Sequence, residues 1–409
     1  MSEGFRESAE APEPVRRRRV LHLGGFEPVA PEVLARRMEA AMERFPPLWN
    51  IEAVASPPDL SADGGAMSFE VEAKGPNWQT RTRYTILRWD TVIESYTRGN
   101  WLGRTVGGYG ALLGFLANGT IGRFFRKARR YGLFSIYPLV SLVLFLLLGW
   151  GVAAIFYFLG VPQGLAWLLG FAAFVAMLYW LGHQIYLDFA LDHWKFAGDL
   201  ARRRVAGLEP MLQRMGEEIA AAIRDPEADE VLITGVSLGS VMAVEALSRA
   251  LAKDPALLAG GRVALLTTGS SFLQVGLHPA AVLTRAAVAR VAAEPSLAWL
   301  EVQGTTDPVN FPGTSPVTDL GLAATGRPVA WVLRIRDLTG EEGYRRIRRD
   351  HMRLHRQYVM PNGLRHHYDY YLIAFGPLSL RDRVDLGTKA AGLFGKDGGF
   401  CPVSGASGD

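Results

Sequence analysis

The chain has 409 residues, of which 49% are hydrophobic and 21% are charged, and its formal net charge is +4. This length allows a large core plus an additional element, and the composition is apolar for a purely water-soluble protein. The modest charge lies mainly in arginine clusters, so it disfavours nucleic acid as a partner and favours anionic lipid. The single cysteine, Cys401, excludes an intramolecular disulfide and a cysteine-based metal site.

The first part of the chain alternates between apolar runs and one helical pattern. Residues 1–16 are rich in Glu, Pro and Ala and are predicted to be a disordered tail. No apolar stretch follows the first arginines, so no cleavable signal peptide is expected. The elements predicted within 17–115 are a strand at Arg19–Leu23 that ends at Gly24-Gly25, a helix at Pro31–Phe45, and strands at Asn50–Ala55, Ser68–Ala73 and Thr82–Trp89.

An uncharged apolar stretch follows, because no Asp, Glu, Lys or Arg occurs between Gly132 and Gly182. A helix needs about 20 apolar residues to cross the hydrocarbon core of a bilayer, so this stretch can cross twice. The sequence VPQG in the middle of it carries turn residues. The sequence therefore predicts a membrane insertion at 116–200, with transmembrane helices at about 134–158 and 165–185. The alternative, a helical pair in a soluble core, normally has a polar stripe, which this stretch lacks.

Basic residues flank the hairpin on both sides, in the segments 123–130 and 195–204, whereas the turn between the helices is uncharged. The positive-inside rule therefore predicts that both flanks lie in the cytoplasm. Two crossings return the chain to the side it left, so 17–115 and 201–380 are expected to fold together. We expect a two-pass integral membrane protein with this domain on the cytoplasmic side.

Strands and helices alternate again after the hairpin. This alternation predicts an α/β fold with a mainly parallel sheet flanked by helices. Residues 381–409 are expected to form a loosely ordered C-terminal tail. The elements predicted before that tail are helices at Glu209–Ile223, Ser240–Lys253 and Ala280–Ala293, and strands at Glu230–Thr234, Arg262–Thr267 and Leu297–Val302.

The motif G-x-S-x-G occurs at Gly235, Ser237 and Gly239, between an apolar strand and a helix rich in small residues. A sharp strand-to-helix turn forces its serine into strained backbone geometry, and glycines on both sides prevent clashes there. The turn also points the hydroxyl toward a helix N-terminus, whose N–H groups can stabilise an oxyanion. Ser237 is therefore the candidate nucleophile. The alternative is a glycine-rich turn that serves only tight packing.

This segment resembles the nucleophile elbow of the α/β-hydrolase superfamily, and the resemblance extends over most of the chain outside the hairpin and the tails. The resemblance implies a serine hydrolase whose nucleophile, acid and histidine follow one another in that chain order. It implies Asp307 as the acid, since Asp307 follows the strand Leu297–Val302 by a few loop residues. Asp319 and Asp337 are the alternatives, and a turn-capping role is the competing interpretation of Asp307.

The catalytic base is expected to be a histidine, since a pKa near neutrality lets its ring take the serine proton and return it to the leaving group. We favour His367, in the aromatic-rich segment RHHYDYY, with His366 and His355 as alternatives. A solvated basic loop is the competing interpretation of the adjacent pair.

The end of the first strand, HLGGF at 22–26, resembles the oxyanion loop of the same superfamily. The resemblance implies that the N–H of Leu238, together with that of Gly25 or Phe26, stabilises the oxyanion. Leu23 separates the histidine from the glycines, which is a departure from the strict H-G-G motif and leaves the second donor open.

These patterns predict a membrane-anchored serine hydrolase that cleaves an ester or related acyl bond, with acyltransferase chemistry left open. The hairpin favours a lipid-like substrate and the lipid bilayer as partner. No cofactor, metal site or nucleic acid is expected, and an oligomer is left open. The competing hypothesis is a catalytically inactive scaffold or binding protein with a hydrolase fold at the membrane.

Overall fold

The computed structural model describes residues 12–401. Its strands are β1 (Arg17–Leu23), β2 (Glu52–Ala55), β3 (Asp59–Leu60), β4 (Ala66–Gly75), β5 (Trp78–Leu87), β6 (Glu230–Val236), β7 (Val263–Thr268), β8 (Ala298–Gly304) and β9 (Val329–Leu333). Its α-helices are α1 (Pro31–Trp49), α2 (Asp90–Thr97), α3 (Trp101–Ala117), α4 (Thr120–Lys127), α5 (Arg129–Phe158), α6 (Gln163–Gln184), α7 (Leu187–Ala201), α8 (Leu208–Arg224), α9 (Leu238–Lys253), α10 (Phe272–Gly276), α11 (Val282–Ala292), α12 (Ile335–Ile347), α13 (His351–Arg356), α14 (Tyr370–Phe375) and α15 (Leu380–Leu386).

The chain divides into two compact units. The first contains the whole sheet and consists of the chain up to Asp90, Gly207–Leu273 and the chain from Leu283 onward. The second consists of Thr91–Ala206 and Gln274–Val282. The second unit therefore begins at Thr91, earlier in the chain than residue 116, where the predicted insertion starts. The physical reason is that α3 packs closely on α7 within the second unit.

The sheet has the strand order β2-β4-β5-β1-β6-β7-β8-β9, with β3 beside β4. Strand β1 is parallel to both of its neighbours, β5 and β6, and β6 to β9 are mutually parallel. Strand β4 is antiparallel to β2, β3 and β5. The predicted α/β class is confirmed as a mostly parallel mixed sheet flanked by helices. Because β1 pairs with β6, the segments before and after the apolar hairpin share one sheet.

Helices cover both faces of the central strands, whose successive side chains point to opposite faces. Leu232 of β6 lies in a core that includes residues of α1, α14 and α15. Its neighbours Val231 and Ile233 are fully buried on the opposite face. Helix α9 packs on β6 and α8 packs on α9. The central strands are thus buried on both faces, as is typical of parallel sheets.

The two predicted tails are shorter than expected. Val15 is buried and its N–H donates to the Pro377 carbonyl at 2.7 Å, so ordered chain precedes β1. At the other end, Phe394 and Phe400 are buried in the core despite the glycines around them. Residues 381–401 are therefore a packed part of the first unit, because burial of these aromatic side chains removes apolar surface from water. The remainder of both predicted tails, 1–11 and 402–409, lies outside the described residues.

Helices α5 and α6 of the second unit are long and apolar enough to cross a membrane, with mean hydropathies of 2.6 and 1.9. Helix α5 begins at Arg129, five residues before the predicted start, because its basic first turn continues the helix. The two helices approach closely at Gly149 and Gly170. A Cβ atom built on Gly170 lies 2.5 Å from the Gly149 carbonyl oxygen, so a side chain there would clash.

A buried ion pair joins β1, β6 and the C-terminal segment of the first unit. Arg18 Nε donates to Glu230 Oε2 at 2.6 Å, and both side chains are at most 5% exposed. The Arg18 guanidinium also donates to the carbonyls of Gly376 and Leu378, and Glu230 Oε1 accepts from the Leu380 N–H at 2.7 Å. Every charged group here has partners, which is the condition under which a buried pair is tolerated.

We expect Glu230→Ala to lower the free energy of unfolding by about 3–5 kcal/mol, since it leaves the Arg18 guanidinium buried without its counter-charge. The matched control is Glu227→Ala, which removes the partner of Arg17 in a pair that is more than half exposed. That change is expected to cost less than about 1 kcal/mol. Thermal unfolding of the full chain in detergent, followed by tryptophan fluorescence, measures both. Equal losses in the two variants would contradict this role of the buried pair.

Candidate active site

The candidate site lies where parallel strands end. The carboxyl ends of β1, β6, β7 and β8 meet at one edge of the sheet, since these four strands are adjacent and parallel. Gly25, Ser237, Ser271 and Asp307 each follow one of these strand ends by one to three residues. Loops at the carboxyl ends of parallel strands are the usual position of binding sites in α/β sheets.

Ser237 is the only residue between β6 and α9. Its φ of 55° and ψ of −126° lie in a region that residues with a side chain rarely adopt, and the residue is buried. The turn is held by backbone bonds: the Ser237 N–H donates to the Thr268 carbonyl at 3.0 Å, and the Ser271 N–H donates to the Ser237 carbonyl at 3.2 Å. The strained geometry expected of an elbow serine is thus present at Ser237.

The two motif glycines are required by packing. A Cβ atom on Gly235 would lie 2.6 Å from Ser240 Cα, and one on Gly239 would lie 2.2 Å from the Leu23 carbonyl oxygen. The end of β1 therefore rests directly on the first turn of α9. This contact brings Gly25 beside the serine, since a Cβ atom on Gly25 would lie 3.4 Å from Ser237 Cβ.

The predicted oxyanion donors lie on both sides of Ser237. Leu238 is the first residue of α9, and the first four N–H groups of a helix have no acceptor within the helix. Gly25 lies beside the serine on the β1 loop. Phe26 is buried against Trp89, whose indole N–H fixes the loop by donating to the Gly24 carbonyl at 3.0 Å. The packing favours the Gly25 amide over that of Phe26, because Phe26 is one residue further from Ser237.

Asp307 is paired with His355. The His355 Nδ1 atom lies 2.7 Å from Asp307 Oδ2, and both side chains are buried. The Tyr358 hydroxyl donates to the same carboxylate oxygen at 3.1 Å, and the Val309 N–H donates to Oδ1 at 2.9 Å. These bonds fix the carboxylate, and a carboxylate that accepts from Nδ1–H leaves Nε2 of a neutral ring as the proton acceptor.

The His355 Nε2 atom is buried and has no hydrogen-bond partner in the described part of the chain. Its ring lies near the end of β7, the strand beside the one that Ser237 follows, since His355 Cε1 is 3.1 Å from a Cβ built on Gly269. Gly269 follows Thr268, whose carbonyl accepts from the Ser237 N–H. A side chain at position 269 would also meet the Tyr358 ring, so glycine keeps this space open.

The preference for His367 as the partner of Asp307 is wrong, and the alternative His355 takes that position. His367 packs on Trp331 and His366, with ring centroids 5.0 and 4.0 Å away. His366 Nδ1 accepts from the Tyr368 N–H at 3.1 Å. Burial lowers the pKa of His367 to about 4, so this ring is a weak base. The neighbouring aromatic residues that suggested this loop are core residues.

The alternative acids serve other roles. Asp319 Oδ2 accepts from the Ser315 N–H at 2.7 Å and so stabilises a turn. Asp337 lies on an exposed position in the first turn of α12. Neither contributes to the pair with His355.

One side chain that the sequence did not single out, that of Ser271, lies beside the serine. The Ser271 hydroxyl is 3.3 Å from the Ser237 hydroxyl. The preceding residue, Ser270, donates to Glu301 Oε1 at 2.5 Å, and Thr267 donates to Oε2 of the same carboxyl group. The segment TTGSS at the end of β7 was the available signal, because four hydroxyl residues around a glycine at a strand end are typical of a site loop.

Comparison with known proteins gave no match to any protein-family model and no significant match to any curated protein or solved structure. The function of the chain is therefore argued from the geometry described above.

Burial raises the pKa of the Glu301 carboxyl from 4.5 to about 7, although hydrogen bonds from Ser270 and Thr267 oppose the shift. The folded protein therefore holds this proton more tightly than the unfolded chain. The contribution of Glu301 to the free energy of unfolding is therefore fully present below the unfolded-state pKa of 4.5, and it is lost as the pH rises through about 7.

We expect the free energy of unfolding to fall by about 3 kcal/mol from this group between about pH 4.5 and 8. The variant Glu301→Gln lacks the titrating group and should show a correspondingly flatter dependence. Thermal unfolding at a series of pH values measures the difference between the two proteins. Parallel curves for wild type and variant would contradict the raised pKa.

Proposed function

We propose that the chain is a serine hydrolase that cleaves an ester or related acyl bond, with Ser237 as nucleophile, His355 as general base and Asp307 as the acid that orients the histidine. One observation carries the proposal: the edge of the sheet at which a serine is held at positive φ also holds a buried Asp307–His355 pair whose Nε2 atom has no partner among the described residues. A buried imidazole without a partner is costly unless it serves chemistry.

In the proposed reaction, His355 Nε2 takes the hydroxyl proton as Ser237 Oγ attacks the acyl carbon. The carbonyl oxygen becomes an oxyanion that accepts hydrogen bonds from the amides of Leu238 and Gly25. His355 then gives the proton to the leaving alcohol, and an acyl-enzyme remains on Ser237. Water, activated by the same histidine, releases the acid and restores the serine.

The Tyr358 hydroxyl supports the relay by holding Asp307 in place. Burial and the nearby Asp307 carboxylate raise the pKa of Tyr358, so the phenol keeps its proton and remains a donor. It accepts in turn from Asn310 Nδ2 at 3.0 Å. In the described part of the chain, the Ser237 hydroxyl contacts the Ser271 hydroxyl at 3.3 Å, and the proposed reaction requires a hydrogen bond from it to His355 Nε2. Such bonds often tighten only when substrate binds.

We further propose that α5 and α6 span a bilayer. Only 17% of the most apolar window of each helix is buried, whereas a pair of soluble core helices would be mostly buried. Large apolar side chains are instead exposed; among them are Trp150 at 60%, Phe158 at 85%, Phe171 at 64% and Trp180 at 66%. Exposed apolar surface of this extent is stable in lipid and unstable in water. The anchor favours a lipid-like acyl ester as substrate and the bilayer as partner.

His355→Gln should reduce hydrolysis of a short-chain nitrophenyl ester by about 10³-fold or more, because the relay loses its base. His367→Gln, the matched control on the other candidate histidine, should change the rate by less than about twofold. Ser237→Ala should abolish labelling by a fluorophosphonate probe, which reacts covalently with activated serines.

Absence of labelling in the folded wild-type protein would overturn the enzyme proposal and leave a membrane scaffold with this fold. A larger loss in His367→Gln than in His355→Gln would overturn the assignment of the base. Circular dichroism spectra of the variants provide the check on folding.

The orientation of the anchor can be read from Cys401, which is exposed and is the only cysteine of the chain. A membrane-impermeant maleimide should leave Cys401 unlabelled in sealed cells and label it after permeabilisation, because the positive-inside rule assigns the flanks to the cytoplasm. Gln163→Cys in a Cys401→Ser background should give the opposite pattern, since Gln163 is the first residue of α6, directly after the turn that joins α5 to α6. Labelling of Cys401 in sealed cells would contradict the orientation.

A further inference from the structure

A second concave region of the first unit lies apart from Ser237. It is a cavity of about 530 Å³ between α1, the ends of β1 and β5, and the segment from α12 to α14. Neither Ser237, His355 nor Asp307 lines it. The volume is within the range of small-molecule sites, about 300–1,000 Å³.

Five arginines line this cavity, and no Asp or Glu does. They come from three helices: Arg37 and Arg44 from α1, Arg346 from α12, and Arg353 and Arg356 from α13. The three from α12 and α13 belong to the most basic segment of the chain, residues 345–356, which has six arginines and one aspartate. We name these five residues the arginine rim.

The rim keeps an excess of positive charge after its ion pairs are taken into account. Arg37 and Arg356 share one carboxylate, that of Glu27, at 3.2 and 2.9 Å. Arg346 pairs with Glu342 and Arg353 with Asp350. In the described part of the chain, three carboxylates therefore face five guanidinium groups.

These pairs are held loosely, because the arginine side chains are 41% to 73% exposed and such pairs contribute little to stability. An anionic ligand can therefore draw the guanidinium groups away from their present partners at small cost.

The floor of the cavity is uncharged and largely apolar. Met38, Ile86 and Tyr371 are buried there, and Leu34 and Val359 extend the apolar wall. The floor therefore suits a hydrocarbon chain better than a charged group.

The polar atoms of the floor satisfy one another. His22 Nδ1 lies 2.8 Å from the Thr234 hydroxyl and 3.0 Å from the Tyr370 hydroxyl, which in turn lies 2.8 Å from that of Tyr84. Burial lowers the pKa of His22 to about 4, so the ring is neutral at physiological pH. The floor thus adds no charge of its own to the cavity.

We propose that this cavity binds a phosphate-headed amphiphile, with its tail on the floor and its phosphate at the arginine rim. Guanidinium groups bind phosphate oxygens through paired N–H donors, and several such groups on different helices can surround one dianionic head. A nucleic acid would need an extended basic track and exposed stacking rings, whereas the aromatic residues here are buried in the floor of the cavity. The proposal is independent of the chemistry at Ser237.

The test measures binding of octyl phosphate to the full chain in neutral phosphatidylcholine nanodiscs by isothermal titration calorimetry. Inorganic phosphate carries only the head and octanol only the tail. We expect octyl phosphate to bind at least about tenfold more tightly than either, because both parts of the cavity contribute. Ser237→Ala should bind octyl phosphate as the wild type does, so failure of the hydrolase proposal and failure of this one are distinguishable.

The double variant Arg353→Gln/Arg356→Gln should weaken binding by about tenfold or more, since it removes two phosphate donors. The matched control is Arg348→Gln/Arg349→Gln, which removes the same charge from the same basic segment but does not touch the cavity. It should change binding by less than about twofold. The pair Arg44→Gln/Arg346→Gln, on α1 and α12, repeats the test without altering α13.

Three results would overturn the proposal. If octanol bound as tightly as octyl phosphate, the cavity would be a site for apolar ligands and the arginine rim would have no role in binding. If inorganic phosphate bound as tightly as octyl phosphate, the cavity would be a site for free phosphate and its apolar floor would have no role in binding. Equal losses of affinity for octyl phosphate in the cavity variants and in Arg348→Gln/Arg349→Gln would mean that the positive charge of the surface in general attracts the ligand and that the cavity does not bind it.

Discussion

The candidate site depends on one close approach, that of the end of β1 to the first turn of α9. Gly239 permits it, since any side chain there would overlap the Leu23 carbonyl. The approach places Gly25 beside Ser237, and Ser237 itself has a positive φ of 55°, which residues with a side chain rarely adopt. Strain of this kind persists only where surrounding contacts hold it, and here the bonds to Thr268 and Ser271 do so.

Two buried carboxyl groups lie at this edge of the sheet and have different partners. Asp307 accepts from Tyr358, Val309 and His355. Glu301, on β8, the strand that Asp307 follows, accepts from the hydroxyls of Ser270 and Thr267, and burial raises its pKa. Burial therefore favours the protonated form of Glu301 at this edge of the sheet.

Helix α13 connects the two regions proposed here. Its His355 is buried against Asp307, whereas its Arg353 and Arg356 line the arginine-rimmed cavity. This six-residue helix can contribute to both regions because Arg353 and Arg356, two and one positions from His355, project from other sides of the helix than His355 does. Asp350 caps its first turn by accepting from the N–H groups of Met352 and Arg353, which fixes the helix start.

The sequence by itself determined the α/β class, the elbow around Ser237 and the apolar hairpin, because each depends on local periodicity and on glycine spacing. It also indicated Asp307, which follows its strand closely. The tertiary structure alone decided that His355 pairs with Asp307, that Ser271 lies beside Ser237, and that Glu301 accepts from Ser270 and Thr267. Those contacts join residues 31 to 48 positions apart or on different strands. No local pattern records such contacts, because they form only when segments that are distant in the sequence pack together.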